Sequence, residues 1–168
     1  MSHSEESVAS GSNARRVVTG LGEDGKAKIL YDDREGRVET FPSGSNFQTV
    51  WLTDRVPADV TRETNEDPTK GEKLYQGPVN DGSVGVFVNF PPGARAPMHS
   101  TKSIDYGIIV EGELELELDN GEKTVLKAGD VIVQRQTKHA WHNRHATQWT
   151  KVFFVCIASA SSVDEKKN

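Results

Sequence analysis

Along its second half the chain alternates apolar and polar residues with a period of two. Glu113-Leu114-Glu115-Leu116-Glu117-Leu118 is strict, sending leucines to one face of a strand and glutamates to the other. Val84-Gly85-Val86-Phe87-Val88-Asn89-Phe90 predicts another strand, stopped by Pro91-Pro92-Gly93. Asp119-Asn120-Gly121 predicts a tight hairpin of type I′, because Asn-Gly tolerates the positive φ values that turn requires. Thr124-Val125-Leu126 returns, Ala128-Gly129-Asp130 turns, Val131-Ile132-Val133 runs on, and 149–158 supplies the last strand. Earlier, Val17-Val18 and Lys28-Ile29-Leu30-Tyr31 flank the turn-rich Gly22-Glu23-Asp24-Gly25, and 47–52 is a further candidate. No stretch of useful length repeats every 3.6 residues. Short strands without crossover helices predict an all-β, antiparallel barrel or jelly roll with extra N-terminal strands.

Polarity sets the boundaries. Residues 1–14 and 160–168 read as tails, and 15–159 as one domain. Residues 54–72 are too polar and too broken by proline for core, which predicts an excursion serving as a lid or a dimer-contacting loop.

Composition narrows the class. With 168 residues, 35% hydrophobic and 27% charged, the chain can fill one core rather than two. A net charge of -5 and the absence of a Lys/Arg run argue against nucleic-acid binding. No apolar stretch approaches membrane-helix length, and 1–16 has no apolar signal region, so the expected location is cytoplasmic. Cys156 is the single cysteine and sits in the apolar run Phe153-Phe154-Val155-Cys156-Ile157, which predicts a buried, inert thiol.

Polar residues gather where a barrel should be apolar. His99, Thr101, Ser103 and Asp105 lie at even spacing and would share one face of a single strand. His139, Trp141 and Asn143 share another. The first set sits in Gly93, five residues, His99-Ser100-Thr101, three residues, Asp105, six residues, Gly112. The second sits in Gly129-Asp130, then His139, three residues, Asn143. These spacings, over 93–112 and 129–143, resemble the two motifs of the cupin superfamily. The segment 134–138 lacks the proline and glycine usual there. The string His99-Ser-Thr-Lys-Ser-Ile-Asp105-Tyr106 also looks like small single-domain cupins of bacteria and fungi, the fungal ones often in polyketide or other secondary-metabolite pathways.

The resemblance implies a double-stranded β-helix, the cupin jelly roll, with a small-molecule site in its interior and pairing as a homodimer. Metal-binding cupins hold a divalent ion with two histidines and a glutamate of the first motif and a histidine of the second. Here His99 and His139 match, Asp105 replaces the glutamate and Thr101 replaces a histidine. Two histidines and one carboxylate suffice for Fe, Zn, Mn or Ni. Asp105 is one methylene shorter than glutamate, about 1.5 Å at fixed backbone. The same residues also serve without metal, as a histidine beside a carboxylate tuned to move protons near neutral pH.

Three functions stay open. One is an acid–base lyase or isomerase, dehydratase- or cyclase-like, using His99, Asp105 and His139. Thr101, Tyr106, Arg135 and Trp141 would then bind substrate, Arg135 as a carboxylate or enolate clamp, or else in a structural ion pair. The second is a metal-dependent oxidoreductase on the same three residues, and the third a non-catalytic ligand-binding barrel. Outside these groups, His142 and His145 read as surface positions, Trp141 as a pocket wall and Met98 as packing. Glu113, Glu115 and Glu117 read as a solvated strand face rather than a metal cluster.

Overall fold

The structure is a computed structural model that describes residues 12–70, 78 and 81–160. Most of the predicted tails therefore lies outside the described residues. The strands are β1 (Arg16–Leu21), β2 (Ala27–Asp33), β3 (Arg37–Thr40), β4 (Asn46–Thr53), β5 (Ser83–Phe90) and β6 (Ser103–Glu111). They continue as β7 (Glu113–Leu118), β8 (Lys123–Lys127), β9 (Val131–Arg135), β10 (His139–His142) and β11 (Thr150–Ala158). Among the described residues the only helical pieces are 3-10 turns at Arg62–Thr64 and Pro68–Lys70. The all-β, antiparallel expectation holds; the short β3 is a strand the sequence pattern did not announce.

A six-stranded sheet ordered β3-β4-β5-β11-β6-β9 faces a three-stranded sheet ordered β10-β7-β8. Residues 94–99 lengthen the smaller sheet irregularly. Ala96 N–H donates to Trp141 O at 2.9 Å, and His99 and His139 exchange backbone hydrogen bonds of 2.9 and 2.8 Å. Between the sheets lies the core, with Val84, Val86, Val88, Ile109, Leu114, Leu116, Val152 and Phe154. The predicted leucine face of β7 is buried there, Leu114 completely.

Two turns show how local chemistry sets register. Only Gly121, not Asn120, takes positive φ in the β7–β8 hairpin, at 86°. Leu118 O accepts from Gly121 N–H and Leu118 N–H donates to Glu122 O, both at 2.9 Å. This is a turn closed by a glycine bulge, which corrects the expected type I′ turn. At Gly107, in mid-β6, a Cβ would stand 2.5 Å from Phe154 Cε1 and 2.9 Å from Ile132 Cγ2. The missing side chain is what lets the Phe154 ring lie across the sheet.

The described part of the excursion, 54–70, does not hang free as a lid. It docks on the β1–β2 hairpin. Asn65 Nδ2 donates to Leu21 O at 2.8 Å, and Tyr31 OH donates to Asn65 O at 3.0 Å. Arg16, 5% exposed, lies between two aspartates: Nε to Asp33 Oδ1 is 2.7 Å and Nη2 to Asp67 Oδ2 is 2.5 Å. Its Nη1 also donates to Val50 O at 3.1 Å, tying hairpin, excursion and large sheet together. Asp67 is buried and accepts from Thr69 N–H and Oγ–H at 2.9 and 2.7 Å. Polarity alone made this segment look solvated. A buried arginine is the reason two of its polar residues are inside.

Candidate functional site

Strand alternation decides which predicted site residues face the interior. On β6, Ser103, Asp105 and Gly107 are buried while Tyr106 is 47% exposed on the outer face. On β9, Gln134 is buried and Arg135 is exposed. Tyr106 and Arg135 therefore do not line the barrel. Both are corrections to the substrate-binding set, and both follow from sitting one residue away from an inward neighbour. Nor is 99–105 one strand: β6 begins only at Ser103, His99 pairs with β10, and half-buried Thr101 lies between them. His99 reaches the site from the opposite sheet.

The structure does bring His99 and His139 together. Their ring centroids are 4.4 Å apart, and the stack continues through Trp141 at 5.6 Å to Phe154 at 5.9 Å. His139 is 4% exposed, Trp141 is buried, and His99 stands open at the rim. Each imidazole is pinned in the same way. His99 Nδ1 faces Pro97 O at 2.9 Å and His139 Nδ1 faces Thr137 O at 2.8 Å. A carbonyl can only accept, so each Nδ1 carries a proton, and in the neutral ring Nε2 is the nitrogen with the lone pair. Burial, and then the neighbouring His99, push the His139 pKa down; the Thr137 carbonyl and Asp105 oppose them. His139 is thus a neutral base.

Asp105 lies deeper. Ser103 Oγ donates to its Oδ1 at 2.5 Å, and Cys156 stands opposite it on the adjacent strand. Burial, followed by the charge of Asp105, holds the Cys156 pKa far above the thiol range, in keeping with a buried, inert cysteine. Asp105 also faces Gln134 across β9. Parity with Ile132 is the sequence signal that places Gln134 inside.

The donor atoms of His99, Asp105 and His139 do not converge within 4.8 Å of one another. The paired histidines offer two ligands, while Asp105 is engaged by Ser103. The described residues that do gather so closely are Glu115, Glu117 and His142, a group that could hold an ion on the outer face of β7 and β10. This corrects two expectations, since the glutamates are half-buried and His142 is 8% exposed. Arg144 contacts Glu115 at 2.6 Å, while Lys123 and His142 contact Glu117 at 3.0 and 2.9 Å. Both glutamates are held below the usual carboxylate range, Glu115 chiefly by Arg144 and Glu117 chiefly by Lys123. The positive charge such a site needs is already supplied by side chains. His145 turns its Nδ1 to the backbone N–H groups of Thr147 and Gln148. Asn143, fully buried, donates to Phe90 O and Gln148 O at 3.0 and 2.8 Å and so pins the far end of the barrel.

A family model described as Cupin domain matches residues 86–156. The cupin-domain-containing oxidoreductase srdD of Neurospora crassa is 34% identical over 154 residues, covering 90% of this chain and 78% of its own length. The chain belongs to the cupin family. Among other cupin relatives, the oxidoreductase virC of Hypocrea virens is 48% identical over 138 residues, 76% of this chain and 66% of its own length. Phomopsin biosynthesis cluster protein D of Diaporthe leptostromiformis is 40% identical over 124 residues, 71% of this chain. The chain spans just under two thirds, 65%, of that relative's length. The cupin domain of Schizosaccharomyces pombe Cnp3 superposes with a TM-score of 0.52 at 11% identity, over 86% of this chain and 88% of that one, a likeness of fold. No helix among the described residues is long and apolar enough to cross a membrane.

Proposed function

We propose that this cupin is a small-molecule lyase or isomerase, dehydratase- or cyclase-like, acting on a polyketide-like or related secondary metabolite inside the barrel. The observation that carries the reading is the His99–His139 pair at 4.4 Å, both Nδ1 atoms tied to backbone carbonyls, which leaves Nε2 as the working nitrogen of each ring. His139 Nε2 takes a proton from carbon next to a substrate carbonyl. Its low pKa keeps it unprotonated and ready at neutral pH. The electron pair left on carbon expels a hydroxyl two atoms away. The proton returns to that oxygen, so that water leaves and a double bond forms. Isomerisation returns the proton to carbon instead. Neither route needs an oxidant. His99, open to solvent beside His139, exchanges the proton with water, and Asp105 supplies the negative charge that favours imidazolium during transfer. The relatives named from a biosynthesis cluster support the metabolic setting.

With the true substrate, His139→Ala should lower kcat by about 10²- to 10⁴-fold, the usual range for a lost general base. Full turnover by both His99→Ala and His139→Ala would end this reading in favour of a ligand-binding barrel.

A second reading, a metal-dependent oxidoreductase with Fe, Zn, Mn or Ni on His99, His139 and Asp105, draws on the oxidoreductase names of virC and srdD. It also draws on the Nε2 atoms of the two histidines. Protein purified without chelators separates the two: under about 0.1 equivalent of transition metal, with turnover surviving EDTA, favours proton transfer alone. We further propose a cytoplasmic homodimer. Support comes from the buried lone thiol and the exposed apolar side chains Tyr106, Ile108, Val110, Val131 and Val133 on β6 and β9. A monomer by light scattering at high concentration would remove the dimer.

A further inference from the structure

The interior around His139 is chemically one-sided. Gln134, Asp105 and Cys156 form a cross-strand row over β9, β6 and β11, all three buried. Gln134 is 3% exposed; its Nε2 donates to Thr137 Oγ1 and leans toward Thr137 O at 3.4 Å. That same carbonyl accepts the His139 Nδ1–H at 2.8 Å. One acceptor thus orients two side chains, turning Gln134 Oε1 and His139 Nε2 away from it. Gln134 Oε1 is buried and has no partner, a state native interiors rarely leave uncompensated. The turn that places the carbonyl contains Gln136 at φ 56°, the one non-glycine among the described residues in left-handed conformation. The segment that lacks the family's usual glycine still adopts glycine's backbone geometry.

Acceptors outnumber donors in this region: Gln134 Oε1, Nε2 of the neutral His139 and the Asp105 carboxyl gather near a single ring donor, the Trp141 indole N–H. No described cation balances them. Arg135, Lys138 and Lys102 are exposed, Arg16 is committed to Asp33 and Asp67, and buried Lys151 lies across from Glu111 at the other end of β11. An anionic group entering here would meet lone pairs and the charge of Asp105.

We infer that the barrel recognises its ligand through a neutral hydroxyl donor, a phenol or enol O–H, presented to Gln134 Oε1 beside His139. Carboxylate and phosphate groups are rejected. This rests on the proposed placement of the site around His139 and names the substrate class for it.

The test uses the full chain with ¹⁵N-labelled histidine. Imidazole nitrogen shifts are followed at pH 7.5 on titration with phenol, with anisole (the same ring without the donor) and with benzoate. Phenol should perturb His139 and bind at least about fivefold more tightly than anisole or benzoate, since a site built to pair a hydroxyl rejects the analogue lacking it. In Gln134→Leu the phenol preference over anisole should fall to within about twofold. Anisole or benzoate binding as tightly as phenol to the wild-type protein overturns the inference, whatever the variant does. So does the absence of any shift at His139 with all three. The measurement is separate from turnover: unchanged kcat in His139→Ala would remove the proposed chemistry while this selectivity stood or fell by itself.

Discussion

Gln48 and Gln134 are both buried glutamines of the six-stranded sheet, satisfied in opposite ways. Gln48, on the outer face of β4, accepts from Ala14 N–H at 2.7 Å and donates to Ala14 O and Glu35 O at 3.0 and 2.7 Å. Gln134, on the inner face of β9, spends its nitrogen on Thr137 and leaves its oxygen bare. The contrast extends to their neighbourhoods. Around Gln48 the N-terminal region is closed by Arg16 between Asp33 and Asp67, each charge answered. Around Gln134 stand two histidines and an acid without a cation. A buried polar group with every bond made holds the fold together. At Gln134 the missing bond is the one the inferred ligand supplies.

Arg16 is the one cation shared by the two aspartates of the closed region. Arg16→Leu would leave Asp33 and Asp67 facing each other without a cation, and should cost about 3 kcal/mol of stability in urea unfolding. The folded fraction should keep the ligand selectivity of the barrel. A loss under about 1 kcal/mol would mean that the clasp adds little.

Gln48→Leu should cost about 2 kcal/mol, because Ala14 N–H and two carbonyls lose their partner. Gln134→Leu, at an equally buried position, should change stability by less than about 1 kcal/mol, since the oxygen it removes is already unpaired and the Thr137 acceptors it gives up are on an exposed residue that water reaches. Equal losses in the two variants would mean that the two glutamines are equally well satisfied.

Acid should separate the two regions by pH window. The His139 pKa lies below its ordinary value, so the unfolded chain takes up that proton first and stability falls as pH drops below about 6.5. Asp33 and Asp67 lie below the carboxylate range, held there by Arg16 hydrogen bonds against burial. Their contribution persists to about pH 4 and is lost as pH falls further. In His139→Phe the first decline should vanish, and in Asp67→Asn the second should shrink. Gln136→Gly should have the smallest effect, within about 1 kcal/mol, relief of left-handed backbone offsetting the lost hydrogen bond from Ser159.

Much of this was legible in the residues. Alternation at 113–118 and the punctuating glycines gave the barrel, and motif spacing gave His99, Asp105 and His139. The departures have specific causes. Tyr106 and Arg135 were read by chemical type, although the inward parity of Asp105 already assigned Tyr106 to the outside. Gln134 was overlooked because a lone amide at a strand end carries no compositional signal; only its missing partner makes it conspicuous. Asp67 and Thr69 sit in a polar stretch whose burial depends on Arg16, fifty residues earlier, and no local pattern encodes a contact at that range. His142 faces outward by parity yet is buried beside Glu117 on the neighbouring strand.

The irregular pairing of 94–99 with β10 has a bearing on how such a protein can diversify. His139 belongs to a regular strand within the three-stranded sheet, whereas His99 hangs on its margin by one reciprocal pair of backbone hydrogen bonds. Ala94 anchors the start of that segment in the core, so re-angling the exposed residues 97–99 would move one imidazole relative to the other while the core stayed in place. The spacing of the histidine pair is thus an adjustable quantity on an otherwise fixed chassis, and new chemistry could arise there before the barrel itself had to change.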